Sequence, residues 1–164
     1  MRSAARNVVA FVIVFAMLSG APDLAFAVTR PGFGGVPATS SEAGAFHYSA
    51  SVIAGVYGLG LHNRSDAAKF WIYDLTVETG QAYTIVVRAA ENGTETGLVY
   101  CYPIVVGPNG QAIIGGGTSA TTSDVTGYQD LTLTTEVVPE GGLVYTVCQI
   151  SARNSAKILS IEWF

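Results

Sequence analysis

Leu98-Val99-Tyr100-Cys101-Tyr102-Pro103-Ile104-Val105-Val106 carries one of the chain's two cysteines inside an apolar run. A near-echo follows, because Gly97-Leu98-Val99-Tyr100 recurs as Gly142-Leu143-Val144-Tyr145, and Cys148 comes after the second copy. Short runs of β-branched and aromatic residues bounded by turn residues read as strands. The two segments are therefore expected to be strands tied by a Cys101–Cys148 disulfide, provided the chain enters an oxidising compartment. In the chain-entropy treatment such a closure is worth about 4 kcal/mol. The alternative is a pair of reduced, buried thiols acting as small hydrophobes.

Side chains alternate between the two faces of a strand, so Cys101 cannot share a face with Tyr100 and Tyr102. In one arrangement Cys101 and Cys148 face the core with Val99, Val105, Val144 and Ile150. Tyr100, Tyr102 and Tyr145, with the Gln149 amide, then form an outward patch that could stack on sugar rings or dock a partner protein. In the other, the tyrosines point inward with Leu98, Ile104, Val106, Leu143 and Val147, and the disulfide lies outside. The larger number of apolar residues on the tyrosine side favours this second arrangement.

Export is read from the first residues: a basic start with Arg2 and Arg6, an apolar run from Val8 to Leu18, and the small-residue end Ala25-Phe26-Ala27. This is the pattern of a secretory signal peptide over residues 1–27, with cleavage after Ala27 leaving Val28 first. The apolar run falls short of the ~20 residues of a membrane span, which sets cleavage above an uncleaved anchor. A secreted or periplasmic protein is expected, and the short signal and sparse cysteines suggest a bacterial one. Cleavage removes Arg2, Arg6 and Asp23 and moves the formal charge from −4 to −5. An acidic chain without Lys/Arg clusters offers nothing to phosphates, which argues against a nucleic-acid partner.

Residues 28–44 are rich in Gly, Pro, Ser and Thr and lack apolar periodicity, so they read as a flexible leader. A strap lying on the domain through Phe33 and Val36 is the alternative. Residues 45–164 read as a single domain. Phe46 to Val52 alternates, and the phase changes near Gly55 before Tyr57, Leu59 and Leu61. Phe70–Val77 and Tyr83–Arg88, joined across Glu78-Thr79-Gly80-Gln81, have the grammar of a hairpin. Gly107-Pro108-Asn109-Gly110 is a turn. Leu131, Leu133, Thr135 and Val137 share a face, as do Leu159, Ile161 and Trp163. With no sustained 3.6-residue period after the signal, seven to nine such strands predict an all-β, antiparallel β-sandwich of jelly-roll or immunoglobulin-like type with one disulfide.

Phe70-Trp71-Ile72-Tyr73-Asp74-Leu75, Thr79-Gly80-Gln81-Ala82-Tyr83-Thr84-Ile85, Gly107-Pro108-Asn109-Gly110 and Pro139-Glu140-Gly141-Gly142-Leu143-Val144-Tyr145 follow one another over residues 69–164. This succession resembles the accessory β-sandwich domains of bacterial secreted enzymes, of the pre-peptidase C-terminal type. The resemblance implies a binding or accessory role rather than a catalytic one. The chain departs from the family in lacking an Asp-Leu-Tyr signature before the Pro-Asn-Gly turn, and in having no enzyme domain beside it.

The sequence offers few groups suited to catalytic or metal chemistry. His47 and His62 are distant in sequence and without further ligands at metal spacing, so no transition-metal site is expected, and His62 is read as part of a turn cluster with Asn63 and Asp66. There is no G-x-S-x-G elbow. Glu91 and Glu95 read as members of a solvated loop rather than a glycosidase pair. Gly115-Gly116-Gly117 opens no helix and so cradles no phosphate. Asp124 and Asp130, with Thr126 and Gln129, form a weak calcium candidate without an EF-hand pattern. Asn63-Arg64-Ser65 and Asn92-Gly93-Thr94 match the glycosylation sequon. No cofactor is expected.

The leading expectation is a non-catalytic binding or accessory module, with a polysaccharide or a surface or secreted protein as partner. The alternative is a structural subunit of a surface fibre or layer; a small secreted hydrolase is the residual third. The terminal Phe164 invites comparison with an outer-membrane barrel. Counting back from it, Glu162 and Ser160 would face lipid, which argues against a membrane-spanning chain.

Overall fold

The computed structural model describes residues 27–53, 56–91, 98–113, 117–123 and 127–164. Residues 1–26 of the expected signal peptide, Gly55, the loop holding Glu95 and the second sequon, Gly115-Gly116, Asp124 and Thr126 lie outside the described residues. In chain order the strands are β1 (Val28–Pro31), β2 (Val36–Pro37), β3 (Phe46–Ile53), β4 (Val56–Asn63), β5 (Lys69–Leu75), β6 (Thr84–Glu91), β7 (Val99–Val106), β8 (Ala112–Ile113), β9 (Ala120–Thr121), β10 (Gly127–Thr134), β11 (Leu143–Ile150) and β12 (Ala156–Trp163), with a 3₁₀ turn at Ser40–Ala45.

They form two sheets. Sheet A has the order β10-β6-β12-β4-β3 with β1 added on β12, and sheet B has the order β2-β5-β11-β7-β8 with β9 added on β7. The strand pairs are antiparallel throughout. The fold is the antiparallel two-sheet β-sandwich read from the sequence.

The core lies between the sheets. Ile85, Val87, Leu131, Leu133, Ile158, Ile161 and Trp163 come from sheet A, and Trp71, Tyr73, Leu75, Val99, Cys101, Val144, Cys148 and Ile150 from sheet B, all buried. Full burial of such a Val, Leu or Ile side chain is worth roughly 1.5–3 kcal/mol, which is why the inward alternation of each long strand is so regular. Cys101 and Cys148 are direct partners in the β7–β11 register and are joined by the disulfide, with Cα atoms 4.1 Å apart.

Three local readings change. Phe70–Val77 and Tyr83–Arg88 are not a hairpin, because β5 lies in sheet B and β6 in sheet A. The same alternation serves either arrangement, but crossing between sheets brings Tyr73 and Leu75 of one sheet into the same buried cluster as Ile85 and Val87 of the other. Gly80, at φ +88°, and its N–H donating to the Val138 carbonyl at 2.7 Å fix that crossing. The Tyr83 hydroxyl also accepts from the Glu78 N–H at 2.6 Å. Leu159 does not share the inward face with Ile161 and Trp163, because an irregularity between Ile158 and Ser160 shifts the register and turns Ile158 inward instead. Val137 is exposed at 56% while Val138 is buried, since the chain leaves β10 at Thr134 and loses the period of two.

Residues 28–44, expected as a flexible leader with a strap as the alternative, lie on the sandwich as a strap. β1 pairs with Ser160–Trp163 of β12 in sheet A, and β2 pairs with Trp71 and Ile72 of β5 in sheet B. The Tyr73 hydroxyl donates to the Gly32 carbonyl at 2.6 Å, and the Arg30 guanidinium sits 5.4 Å from the Trp163 ring centroid while donating to the Asp74 carbonyl. Phe33 packs edge-on against Tyr48 at 4.4 Å between ring centroids. Glycine is required at Gly35, where a Cβ would fall against the Ile72 carbonyl and the Trp71 indole nitrogen. Backbone polar groups paired at both ends of the strap offset the low apolar content on which the flexible reading rested.

Two stability measurements follow. Replacing Cys101 and Cys148 together by serine should lower the unfolding free energy by about 4 kcal/mol in denaturant melts. Gly35→Ala should cost about 1–3 kcal/mol through overpacking. Gly44→Ala, where a Cβ meets nothing within 4 Å, should stay within about 0.5 kcal/mol.

Candidate functional site

The parity of β7 is settled by burial. Val99 and Cys101 are fully buried and Val105 is 3% exposed, whereas Tyr100 is 38% exposed and Tyr102 half-buried. Tyr145 and Gln149 of β11 are also half-buried, on the outer face of sheet B. The disulfide is inside and the tyrosines are outside, against the arrangement that the count of apolar residues favours. Counting fails because the outer residues shelter one another. Val147 is 6% exposed on that face, with Tyr102 opposite it on one side and Ile72 on the other.

The outer face is ordered by the registers. Gln149 lies opposite Tyr100, Val147 opposite Tyr102, Tyr145 opposite Ile104 and Leu143 opposite Val106. On the other side of β11, Phe70 flanks Gln149 and Asp74 flanks Tyr145. Tyr100 and Tyr102 have ring centroids 5.7 Å apart with planes tilted by 38°. Tyr145 is the diagonal neighbour of Tyr102, a relation that puts side chains about 7–8 Å apart. The four residues read from the sequence thus share one surface, a strip of aromatic and aliphatic groups with an amide at one end.

A cavity of about 280 Å³ adjoins the strip, lined by Tyr100, Tyr102, Pro103, Ile104, Ser119 and Glu136 among others. It opens where the edge of β7 is left uncovered: β9 pairs with Tyr100 and Cys101, and β8 with Val105 and Val106. Pro103 lies in the gap. Proline has no N–H, so the ladder breaks there without stranding a donor. Glu136 is half-buried on a segment held by its neighbours, since the Thr135 and Val138 N–H groups donate to the Tyr83 and Gln81 carbonyls, each at 2.9 Å. Ser119 and Glu136 were missed in the sequence, where nothing but the proline inside a strand pattern marks the gap.

The other candidates fare differently. Asp130 is engaged by Arg88 through two contacts of 2.8 and 2.9 Å, and that pairing holds its carboxyl below the ordinary range. Gln129 bonds Glu91 and Ser123. The only described carboxylate of the calcium candidate is therefore already in an ion pair. Glu91 ends β6 and is fully buried, accepting from the Thr122 hydroxyl at 3.1 Å, rather than belonging to a solvated loop. His47 and His62, distant in sequence, are cross-strand partners in β3 and β4. The turn after β4 is capped by Asn63, whose amide donates to the Ala67 and Ile150 carbonyls, and Asp66 pairs with Arg153 instead. Among the described residues no three His, Cys, Asp or Glu side chains are grouped to hold a metal ion, and no helix is long and apolar enough to cross a membrane. A second depression of about 420 Å³ lies on the outer face of sheet A, lined by Arg88, Tyr128, Asp130 and Leu159.

Solved structures place this architecture. The chain shares its fold with carbohydrate-binding modules. It is 14% identical to a family 35 carbohydrate-binding module from Clostridium thermocellum, with a TM-score of 0.54 over 85% of this chain and 98% of that one. The C-terminal family 6 module of a laminarinase from Zobellia galactanivorans matches at 12% identity and a TM-score of 0.53, over 84% and 98%. A C. thermocellum xylanase structure that holds a family 22 module together with a family 10 catalytic module matches at 16% identity and a TM-score of 0.53, over 82% of this chain and 26% of that one. No family model and no curated protein matches. The resemblance to pre-peptidase C-terminal domains thus gives way to a coarser one, to the β-sandwich of carbohydrate-binding modules.

His62 supplies a pH test. It is 2% exposed; burial, and then the charge of Lys157, hold its pKa below the ordinary 6.5. A base kept neutral in the folded state contributes stability that is complete above the unfolded pKa and is lost as pH falls below it. Thermal unfolding should therefore show a stability loss on going from about pH 7.5 to about pH 5, and His62→Gln should flatten that slope.

Proposed function

We propose that the protein is a secreted or periplasmic, non-catalytic module that binds a polysaccharide across the outer face of sheet B. The observation that carries this is the outward placement of Tyr100, Tyr102 and Tyr145 beside the 280 Å³ cavity, on strands held from beneath by the buried disulfide. Aromatic faces bury the apolar faces of sugar rings, and Gln149 supplies both a donor and an acceptor for hydroxyls. A rigid sheet presents these groups with little ordering cost on binding. The fold shared with carbohydrate-binding modules supports the reading, as does the signal peptide, whose expected cleavage after Ala27 falls directly before β1 at Val28.

The test is affinity electrophoresis through gels containing a panel of polysaccharides. Tyr100→Ala, Tyr102→Ala and Tyr145→Ala should each weaken retention by about 3- to 10-fold with little change in melting temperature. Retention unaffected by all three, or abolished by Tyr128→Ala on the opposite sheet, would remove the proposed face.

A further inference from the structure

We infer that the cavity beside Tyr100 and Tyr102 selects an amino sugar, taking its ammonium group against the Glu136 carboxylate; this rests on the reading of the tyrosine face as a glycan platform. The first support is the backbone. The Leu98 carbonyl accepts from the Ser151 N–H on the β11 side, and the Val99 carbonyl accepts from the Thr122 N–H on the opposite side. Alternation then turns the Pro103 carbonyl away from β11, toward the cavity it lines. Because proline has no N–H, the main chain offers an acceptor and no donor at that point.

The side chains agree. Glu136 is half-buried in the cavity wall, and no ion pair or side-chain hydrogen bond engages its carboxylate among the described residues. Ser119 adds a hydroxyl, and among the described residues neither Lys nor Arg lines the space. Two tilted tyrosine rings with centroids 5.7 Å apart complete the wall, and the negative face of an aromatic ring attracts a cation. An ammonium with three donors matches acceptors that a neutral sugar hydroxyl would use only in part. A uronic acid or sulfated sugar would place like charge against Glu136 and is disfavoured.

Isothermal titration of the purified protein with glucosamine hexamer, N-acetylglucosamine hexamer, cellohexaose and hexalysine tests the inference. The glucosamine hexamer should bind about tenfold more tightly than the two uncharged hexamers, as a charge-assisted hydrogen bond implies. Raising the ionic strength should narrow that gap. Glu136→Gln should bring the glucosamine hexamer down to the level of the uncharged hexamers measured on the same variant, with the melting temperature unchanged. Tyr100→Ala should weaken all three sugars. Equal or tighter binding of the uncharged hexamers, with Glu136→Gln without effect, overturns the amino-sugar selection and leaves the platform standing. Hexalysine binding as well as the glucosamine hexamer overturns the sugar assignment. Failure of every hexamer to bind overturns the amino-sugar selection, and failure on every gel of the polysaccharide panel as well overturns the platform.

Discussion

Cys101 and Cys148 face each other in adjacent strands, and the covalent bond between them locks both the β7–β11 register and the side of the sheet that meets the core. A slip of one residue would move every side chain of a strand to the other face. With the disulfide buried against sheet A, Tyr100, Tyr102, Tyr145 and Gln149 have only the outer face left to them. The candidate binding surface is thus a consequence of where the crosslink sits. A patch of tyrosines on two strands able to slide would present no constant spacing to a ligand.

The rest of the sandwich supports that face at its borders. The strap of residues 28–44 bridges the sheets, with β1 against β12 and β2 against β5. The crossing between β5 and β6 carries the chain from one sheet to the other, with the Gly80 N–H and the Tyr83 hydroxyl pairing backbone groups that would otherwise be stranded at a corner. These are hydrogen-bonded solutions rather than apolar ones, which is why the segments look featureless to any search for hydrophobic periodicity.

Pro103 links fold to chemistry. It interrupts the edge ladder of β7 between β9 and β8, and the space left there is walled by tyrosine rings, a serine and a carboxylate. The cavity's electrostatic character comes from two distant segments, since Glu136 is carried on the chain leaving β10 while the rings stand on β7. The opposite sheet offers the contrast. There Arg88 and Asp130 satisfy each other beside Tyr128, so neither presents an unpaired charge to a ligand.

Composition and period-two alternation determined by themselves that the chain is all-β and antiparallel, and two cysteines on strand-like segments of a chain expected to be exported pointed to the crosslink. Both follow from local physics: side chains alternate along a strand, and two thiols leave one pairing. The residues of the tyrosine strip were legible for the same reason, as positions of one parity. Which parity faces water was decided only in the tertiary structure, because it depends on what sheet A lays against sheet B and on how Val147, Tyr102 and Ile72 shelter one another. The same holds for the β5–β6 crossing, where a hairpin and an arch have identical alternation, and for the approach of His47 to His62 through the β3–β4 register. Glu136 and Ser119 left no mark in the sequence, since a cavity assembled from distant segments exists only once those segments meet in space.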